Sequence, residues 1–478
     1  MLVNHIKGFI CGQEWKQIFA ILTAALVSLN TALLYAWPSP SIPILLSSEF
    51  PTNVTMEEAS YTTVIPSIAS IFSSPLYPFL MDKFGRKITL LSVALPQVLS
   101  WILISKANDI YTIYLSRLLS GFSNSCLYAT LPVYIGEISS PKVRGLWGNA
   151  MSCCAYFGLC LMNIVGSMNS LRSTANIFLA IPVIFFLLFM AMPETPYYHL
   201  MNGAEEKAYT ALKSLRRNQD TIEKEFVEMK EGVAEQMDAN NRFVDLVRVK
   251  SNRQALIIAI TVRGIQQFAG ISAFAVYAPY LFARVDGGIT ASTSAIIYTA
   301  ALTFCSCTGS ILLDFLGRRR AMIISCVGCA VVLLLEAAYF YFIPELSRLY
   351  QIRMPYFPIL GMLIYVLVYS FGLGIIPNLL LGELFPSNIK GKALCILNII
   401  FGIYSSISTK VFQVLYSAYG IYAPMLLFGI CCIGSTIFSV YFVPETSGKT
   451  LQQIQRDLKG SSNLNQVEVK VETDKDNS

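Results

Sequence analysis

The chain has 478 residues, of which 54% are apolar and only 13% charged; its formal net charge is +6 and its mean hydropathy +0.56. A soluble domain carries about a quarter charged residues. This composition cannot cover a surface with polar groups, so it excludes a soluble two- or three-domain protein and points to an all-α membrane protein.

Crossing a bilayer takes about 20 apolar residues at ~1.5 Å each. Twelve runs meet that length, near 17–37, 62–81, 88–105, 110–136, 147–167, 176–192, 254–283, 293–313, 321–343, 359–381, 391–415 and 421–443. They are numbered as spans one to twelve. The first follows a polar stretch and has no small-residue cleavage site, so no cleavable signal peptide is expected. The sole N-glycosylation sequon, Asn53-Val54-Thr55, falls between spans one and two, where a glycan could be attached at Asn53 if that loop is external.

Basic residues set the orientation. On the side opposite both termini lie only Lys106, Arg172, Arg284, Arg348 and Arg353, and Arg117, Arg263 and Lys410 fall inside spans. The other Lys and Arg sit on the termini side, which predicts cytosolic N- and C-termini. The positive balance is accounted for by topology, with no case for nucleic acid. The expected organisation is a cytosolic tail (1–16), a six-span lobe (17–192), a cytosolic insert (193–253), a second six-span lobe (254–443) and a cytosolic tail (444–478). In the insert, Ile222, Phe226, Met229 and Val233 share one helical face, and Asp220 with Glu223 has capping-box spacing. This predicts amphipathic helices lying against the bundle. The tail from Gly460 is polar and is expected to be disordered.

Eleven of the twelve cysteines fall in spans and give no disulfide framework. Cys326 and Cys329 have half a metal site's spacing, but no matching pair or nearby histidine supports one, and apolar filler is the better reading. His5 and His199 are the only histidines, both outside the spans, and no nucleophile–base pairing is visible. Neither an enzyme nor a cofactor is expected.

Three motifs occur twice. GEISSPKVRG (136–145) is matched by GELFPSNIKG (382–391), DKFGRK (82–87) by DFLGRR (314–319), and PET (193–195) by PET (444–446). They keep one order, at nearly constant offset and on one membrane face. That pattern is the mark of a duplicated six-helix unit.

With PVYIGEISSPKVRG, QQFAGISAF and VPETSGKT, these motifs resemble the sugar porter family of the major facilitator superfamily over nearly the whole chain. Within it the first outer loop, SPSIPIL and TKVFQ are most similar to insect facilitated trehalose transporters. The resemblance implies twelve transmembrane helices in two six-helix lobes, the major facilitator fold. It implies a multi-pass plasma-membrane protein that moves a neutral sugar, trehalose first, by alternating access, with no obligate protein partner. A non-transporting sugar sensor and a facilitator of a hexose or an anionic solute are the alternatives.

The resemblance also assigns residues. An ion-pair network gating the cytosolic face would comprise Asp82, Arg86, Lys87, Glu137, Arg144 and Glu194 with Asp314, Arg318, Arg319, Glu383, Lys390 and Glu445. Lys390 stands where the family usually has Arg, which loses bidentate pairing. Gln266 and Gln267 match the sugar-binding amide pair, since an amide offers a donor and an acceptor to hydroxyls, and Tyr277 matches an outer-gate aromatic. Ser152, Ser272 and Ser405 replace longer amides, and Asn378 a tryptophan, which leaves a roomier pocket. Span one has no acidic residue to face Arg117, and intramembrane carboxylates are the usual proton carriers, so facilitated diffusion is expected. Glu336 in span nine is the remaining candidate proton carrier, against a peripheral carboxyl that is paired or protonated. Arg263, one turn before Gln266, either faces the cavity or forms a salt bridge or reaches the interface. Lys410 is expected to snorkel to the outer interface.

Overall fold

The computed structural model describes residues 15–140, 143, 147, 150–216, 219–238, 244–282, 290–350, 357–385 and 387–446. All twelve apolar runs are mostly helical over their described residues, some with a break. The reason is chemical: hydrocarbon offers no partner to a backbone N–H or C=O, so each spanning segment must bond within itself. Nine described helical stretches are long and apolar enough to cross a membrane, and a tenth is Met56–Ser73 with Leu76–Phe84, bent by 51°. Spans four and eight, Ile110–Ile138 and Ala291–Leu316, have the length at 29 and 26 residues but are richer in Ser and Thr.

Helix starts follow local chemistry. Thr55 and Glu58 form a reciprocal capping box at the head of span two, with Asn53 exposed just before it. Asp109 accepts from the Thr112 N–H at 2.8 Å to start span four. Two spans are broken near mid-membrane. Span seven is Lys250–Phe268 and Ile271–Phe282, parted at Gly270, whose φ is +93°. Span ten is Phe357–Phe371 and Ile376–Glu383.

Spans one to six pack on one another, as do seven to twelve, giving two six-helix lobes. The lobes meet where span two packs on span eleven and span five on span eight. Small hydroxyls tie the first lobe together: Ser70 and Ser73 bond to Ser125, and Ser100 to Ser116. Such short polar contacts replace the hydrophobic drive that lipid does not supply. Phe72, Leu187, Phe304 and Tyr441 stand fully outward, as lipid-facing side chains do.

Between the lobes in sequence lie the helices Pro196–Met201, Glu205–Leu215 and Gln219–Asp238. Ile222, Met229 and Val233 are buried with Leu200, Ala208 and Leu212, and Phe226 packs against them. The amphipathic face read from the sequence is therefore the seam of a small helical layer. Glu223 is exposed in the first turns of its helix, and the Asp220 side chain lies outside the described residues. The layer docks on the first lobe through Arg216, which pairs with Glu225 at 2.7 Å and donates to the Ile138 carbonyl. Gln17 of span one donates to the Leu215 carbonyl at 3.0 Å.

Candidate functional site

Arg86 and Arg318 begin spans three and nine on the same side of the bundle, here termed the basic face. In the first lobe Arg86 pairs with Glu137 of span four at 3.1 Å, both largely buried. Its guanidinium also lies over the Tyr198 ring at 5.8 Å. Glu194 accepts from the backbone N–H groups of Arg86 and Lys87 at 3.0–3.1 Å. Those are orphan donors at a helix start, where the dipole favours an anion. Burial pushes the Glu194 carboxyl up from its ordinary value, while the N–H donors and the Arg86 charge pull it down. The Lys87 ammonium donates to the Met190 carbonyl at the end of span six at 2.8 Å.

The second lobe repeats the pattern. Glu445 accepts from the backbone N–H groups of Arg318 at 2.9 Å and Arg319 at 3.1 Å, and the Arg319 guanidinium donates to the Val440 carbonyl near the end of span twelve. These backbone hydrogen bonds of Glu194 and Glu445 are thus made inside a lobe. Asp82, exposed at the end of span two, faces the charges of Arg86 and, across the lobe boundary, Lys392. The side chains of Arg144, Asp314, Glu383 and Lys390 lie outside the described residues.

A second cluster gathers at the break of span seven. Gln266 and Gln267 are both buried there. The Gln266 amide donates to the Leu373 carbonyl in the break of span ten at 3.1 Å and accepts from Arg263 at 2.8 Å. Ser272 donates to the Gln267 side-chain oxygen, and Ser408 of span eleven to its carbonyl. Tyr35 of span one comes from the other lobe to within hydrogen-bonding reach of Ser272 and Ser405. Tyr277 is buried, stacks on Phe412 at 5.1 Å and reaches Thr63 of span two. Ser152 is half-buried in span five and Asn378 is exposed in span ten; the structure gathers Gln266, Gln267 and Ser272, and among the described residues no hydrogen bond joins Ser152 or Asn378 to them.

The cationic residues inside the spans have definite partners. Arg117 is fully buried, donates to the Leu34 carbonyl and to Ser120, and lies over the Trp37 ring at 5.3 Å. A carbonyl and an indole face thus stand where the sequence lacks an acid. Arg263 neither forms a described salt bridge nor reaches an interface: it is buried, bonded to Gln266 and set over Phe401 at 5.1 Å. The Lys410 ammonium meets Ser60 of span two at 3.2 Å and the Tyr61 ring at 4.9 Å. It bridges the lobes on the face opposite the basic one. Glu336 is buried in span nine, away from the span seven cluster. No group of metal-binding side chains occurs among the described residues.

The sequence reading missed Tyr35 and, in the electrostatic range of Arg263, Tyr128, Tyr156 and Tyr369. The only available signal was a hydroxyl-bearing aromatic in the middle of a span, where a membrane tyrosine more often belongs at the interface.

Two six-helix lobes that meet along spans two, five, eight and eleven, with buried amides at a helix break, define a membrane transporter of the major facilitator fold. The chain belongs to the sugar transporter family: the family model described as Sugar (and other) transporter matches residues 16–458. It is 30% identical over 460 residues to a facilitated trehalose transporter Tret1-2 homolog of Drosophila sechellia, covering 95% of this chain and 93% of the relative. It is likewise 30% identical over 449 residues to the facilitated trehalose transporter Tret1 of Bombyx mori, covering 94% and 88%. Among solved structures, the partially occluded inward-open xylose transporter XylE from E. coli aligns with a TM-score of 0.75 at 20% identity, over 91% of this chain and 99% of that one. The proton:xylose symporter XylE bound to 6-bromo-6-deoxy-D-glucose aligns at 0.73 and 20%, over 92% and 98%.

Proposed function

We propose that this protein is a plasma-membrane facilitator that moves a sugar by alternating access, with the basic face cytosolic. Trehalose is the first sugar to test, because it is in the names of the relatives. The observation that carries the reading is the buried Gln266–Gln267 pair at the break of span seven, ringed by Ser272 and Ser405 and approached by Tyr35 from the other lobe. Sugar hydroxyls need partners that both give and accept, and amides and hydroxyls do both. In this conformation the Gln266 amide is occupied internally, so a bound sugar would exchange for those bonds as the lobes part.

Lys410 with Ser60 and Tyr61, and Tyr277 with Thr63, hold the lobes together on one face. The clusters around Arg86 and Arg318 stiffen each lobe on the other. A cycle then needs only to exchange which face is closed. Arg117 rests on a carbonyl and a ring, without an acid beside it, which supports uniport over proton coupling. The cycle makes and breaks no covalent bond in the sugar and needs no protein partner.

The test is uptake of labelled trehalose and glucose into oocytes with surface-verified protein, at two external pH values. Saturable uptake that follows the gradient and ignores pH is expected. No uptake of either sugar by surface protein would rule out trehalose and glucose as substrates, and no uptake of any sugar, acidic ones included, would overturn the reading.

A further inference from the structure

We infer from the surroundings of Arg263 that the sugar preferred by this site carries an anionic group, a carboxylate or a phosphate, with the Arg263 guanidinium as its counter-cation. The inference rests on the sugar-transport reading above and narrows it. On this account a neutral sugar such as trehalose is the weaker ligand.

Arg263 is 3% exposed, and its Nε has no hydrogen-bond partner among the described residues. No described carboxylate pairs with it. A buried guanidinium without an anion is costly, and charged groups inside spans are kept for pathways or ligands. Its one described side-chain bond is to Gln266, the first residue of the amide pair. The ligand-facing amide and the cation are therefore one unit, one helical turn apart.

The surroundings of Arg263 come from both lobes. Phe401 of span eleven lies beneath it, and Phe401 in turn meets Tyr128 of span four at 5.5 Å. Tyr128 and Tyr156 of the first lobe and Tyr369 of the second are in its electrostatic range. Arg263 thus sits on the surface along which the lobes separate, and separation exposes it to the same path as Gln266 and Gln267. The Phe401 face stabilises the cation while the site is empty. A ring face offers no oxygen to compete with an oxyanion, and the tyrosine hydroxyls nearby are neutral. A guanidinium offers parallel N–H groups that match a carboxylate or a phosphate two at a time.

Arg117 is the other buried guanidinium, and its Nε and Nη1 also lack described partners, but its contacts, the Leu34 carbonyl, Ser120 and the Trp37 ring, are all in the first lobe. It has no comparable position at the amide pair.

The experiment uses the full-length protein reconstituted in liposomes, with labelled glucose, glucuronate and glucose 6-phosphate. Expected is uptake of one of the two acidic sugars in preference to glucose by about tenfold, the scale of one charge-assisted hydrogen-bond pair. Glucuronate and glucose 6-phosphate distinguish the carboxylate from the phosphate form of the ligand. Arg263→Gln is expected to lower the acid-to-neutral ratio about tenfold, and Arg263→Lys to retain part of it. Equal preference in wild type, or a ratio unchanged in Arg263→Gln protein that still transports, would overturn the inference while leaving sugar transport standing. If Arg263→Gln does not reach the membrane, the wild-type ratio decides alone. No uptake of any of the three would overturn the sugar-transport reading and this inference with it.

Discussion

Glu194 and Glu445, 251 residues apart in the chain, make the same contact in opposite lobes: each carboxylate closes over the first two N–H groups of the helix that follows a left-handed glycine. The glycines are Gly85 and Gly317, with φ of +92° and +77°. A Cβ added at Gly85 would lie 2.2 Å from a Glu194 oxygen, and one at Gly317 would lie 2.9 Å from a Glu445 oxygen. The glycine thus turns the chain from one span into the next and leaves the space that the acid of the PET motif fills. Two motifs distant in sequence are one structural joint, written once per lobe.

Gly85→Ala should therefore destabilise more than Gly317→Ala. Gly85 has φ 92° and ψ 166°, a region that costs a side-chain-bearing residue about 1–3 kcal/mol, and its added methyl must also displace the half-buried, hydrogen-bonded Glu194 carboxylate. Thermal unfolding of the purified proteins in detergent reads the order directly. Equal midpoints, or the reverse order, would show that the joint is not what holds these helix ends.

Cys153 of span five and Cys307 of span eight hydrogen-bond to each other across the lobe boundary. Both are free thiols. Oxidation with copper phenanthroline should join them, with loss of both S–H hydrogens to the oxidant, and arrest sugar uptake because spans five and eight can no longer separate. Dithiothreitol should restore it, and Cys153→Ser should be insensitive. Uptake that persists after the cross-link is shown by protease mapping would mean that transport does not require this pair to part.

The bundle was legible because hydropathy reports directly on the hydrocarbon that each span must cross. The paired motifs were legible because duplication leaves the same residues at the same helix ends. Their wiring was not. A carboxylate beside arginines suggests an ion pair, and only the fold shows that Glu194 and Glu445 take backbone N–H groups while Glu137 takes the guanidinium. Gln266 and Gln267 could be singled out by their match to the family's motif, yet their partners Leu373 and Ser408, and Tyr35 beside Ser272, come from other spans and leave no trace in local sequence. Lys410 was expected to carry its charge to the end of its span, but its partners there, Ser60 and Tyr61, come from span two, some 350 residues away, and could not be read from local sequence.

Lys410→Met should loosen the closed face. The substitution keeps the length of the side chain and removes both the bond to Ser60 and the contact with the Tyr61 ring, the latter alone being worth about 0.5–2 kcal/mol. A change of that size shifts a two-state equilibrium several-fold. With a cysteine placed at Ile42, which is buried in the helix Pro38–Leu45 that packs on span seven, labelling by an impermeant maleimide should rise several-fold in the Lys410→Met background. Unchanged labelling would assign closure of this face to Tyr277 and Thr63 instead.

Glu336 is wholly buried, and neither carboxyl oxygen has a hydrogen-bond partner among the described residues. It lies against span ten at Gly361, where an added Cβ would fall 1.8 Å from its Oε1. An unpaired carboxylate in hydrocarbon costs several kcal/mol, so this packing suits the neutral acid, and glutamine is its closest uncharged match. Glu336→Gln should keep sugar uptake and the unfolding midpoint near wild type, with uptake still indifferent to external pH. Gly361→Ala should lower the midpoint, because the Glu336 carboxyl must shift to admit the added methyl. Were Glu336→Gln instead to abolish uptake in protein that reaches the surface, while wild-type uptake rose with external acidity, Glu336 would be carrying a proton with the sugar, and the uniport reading would give way to symport.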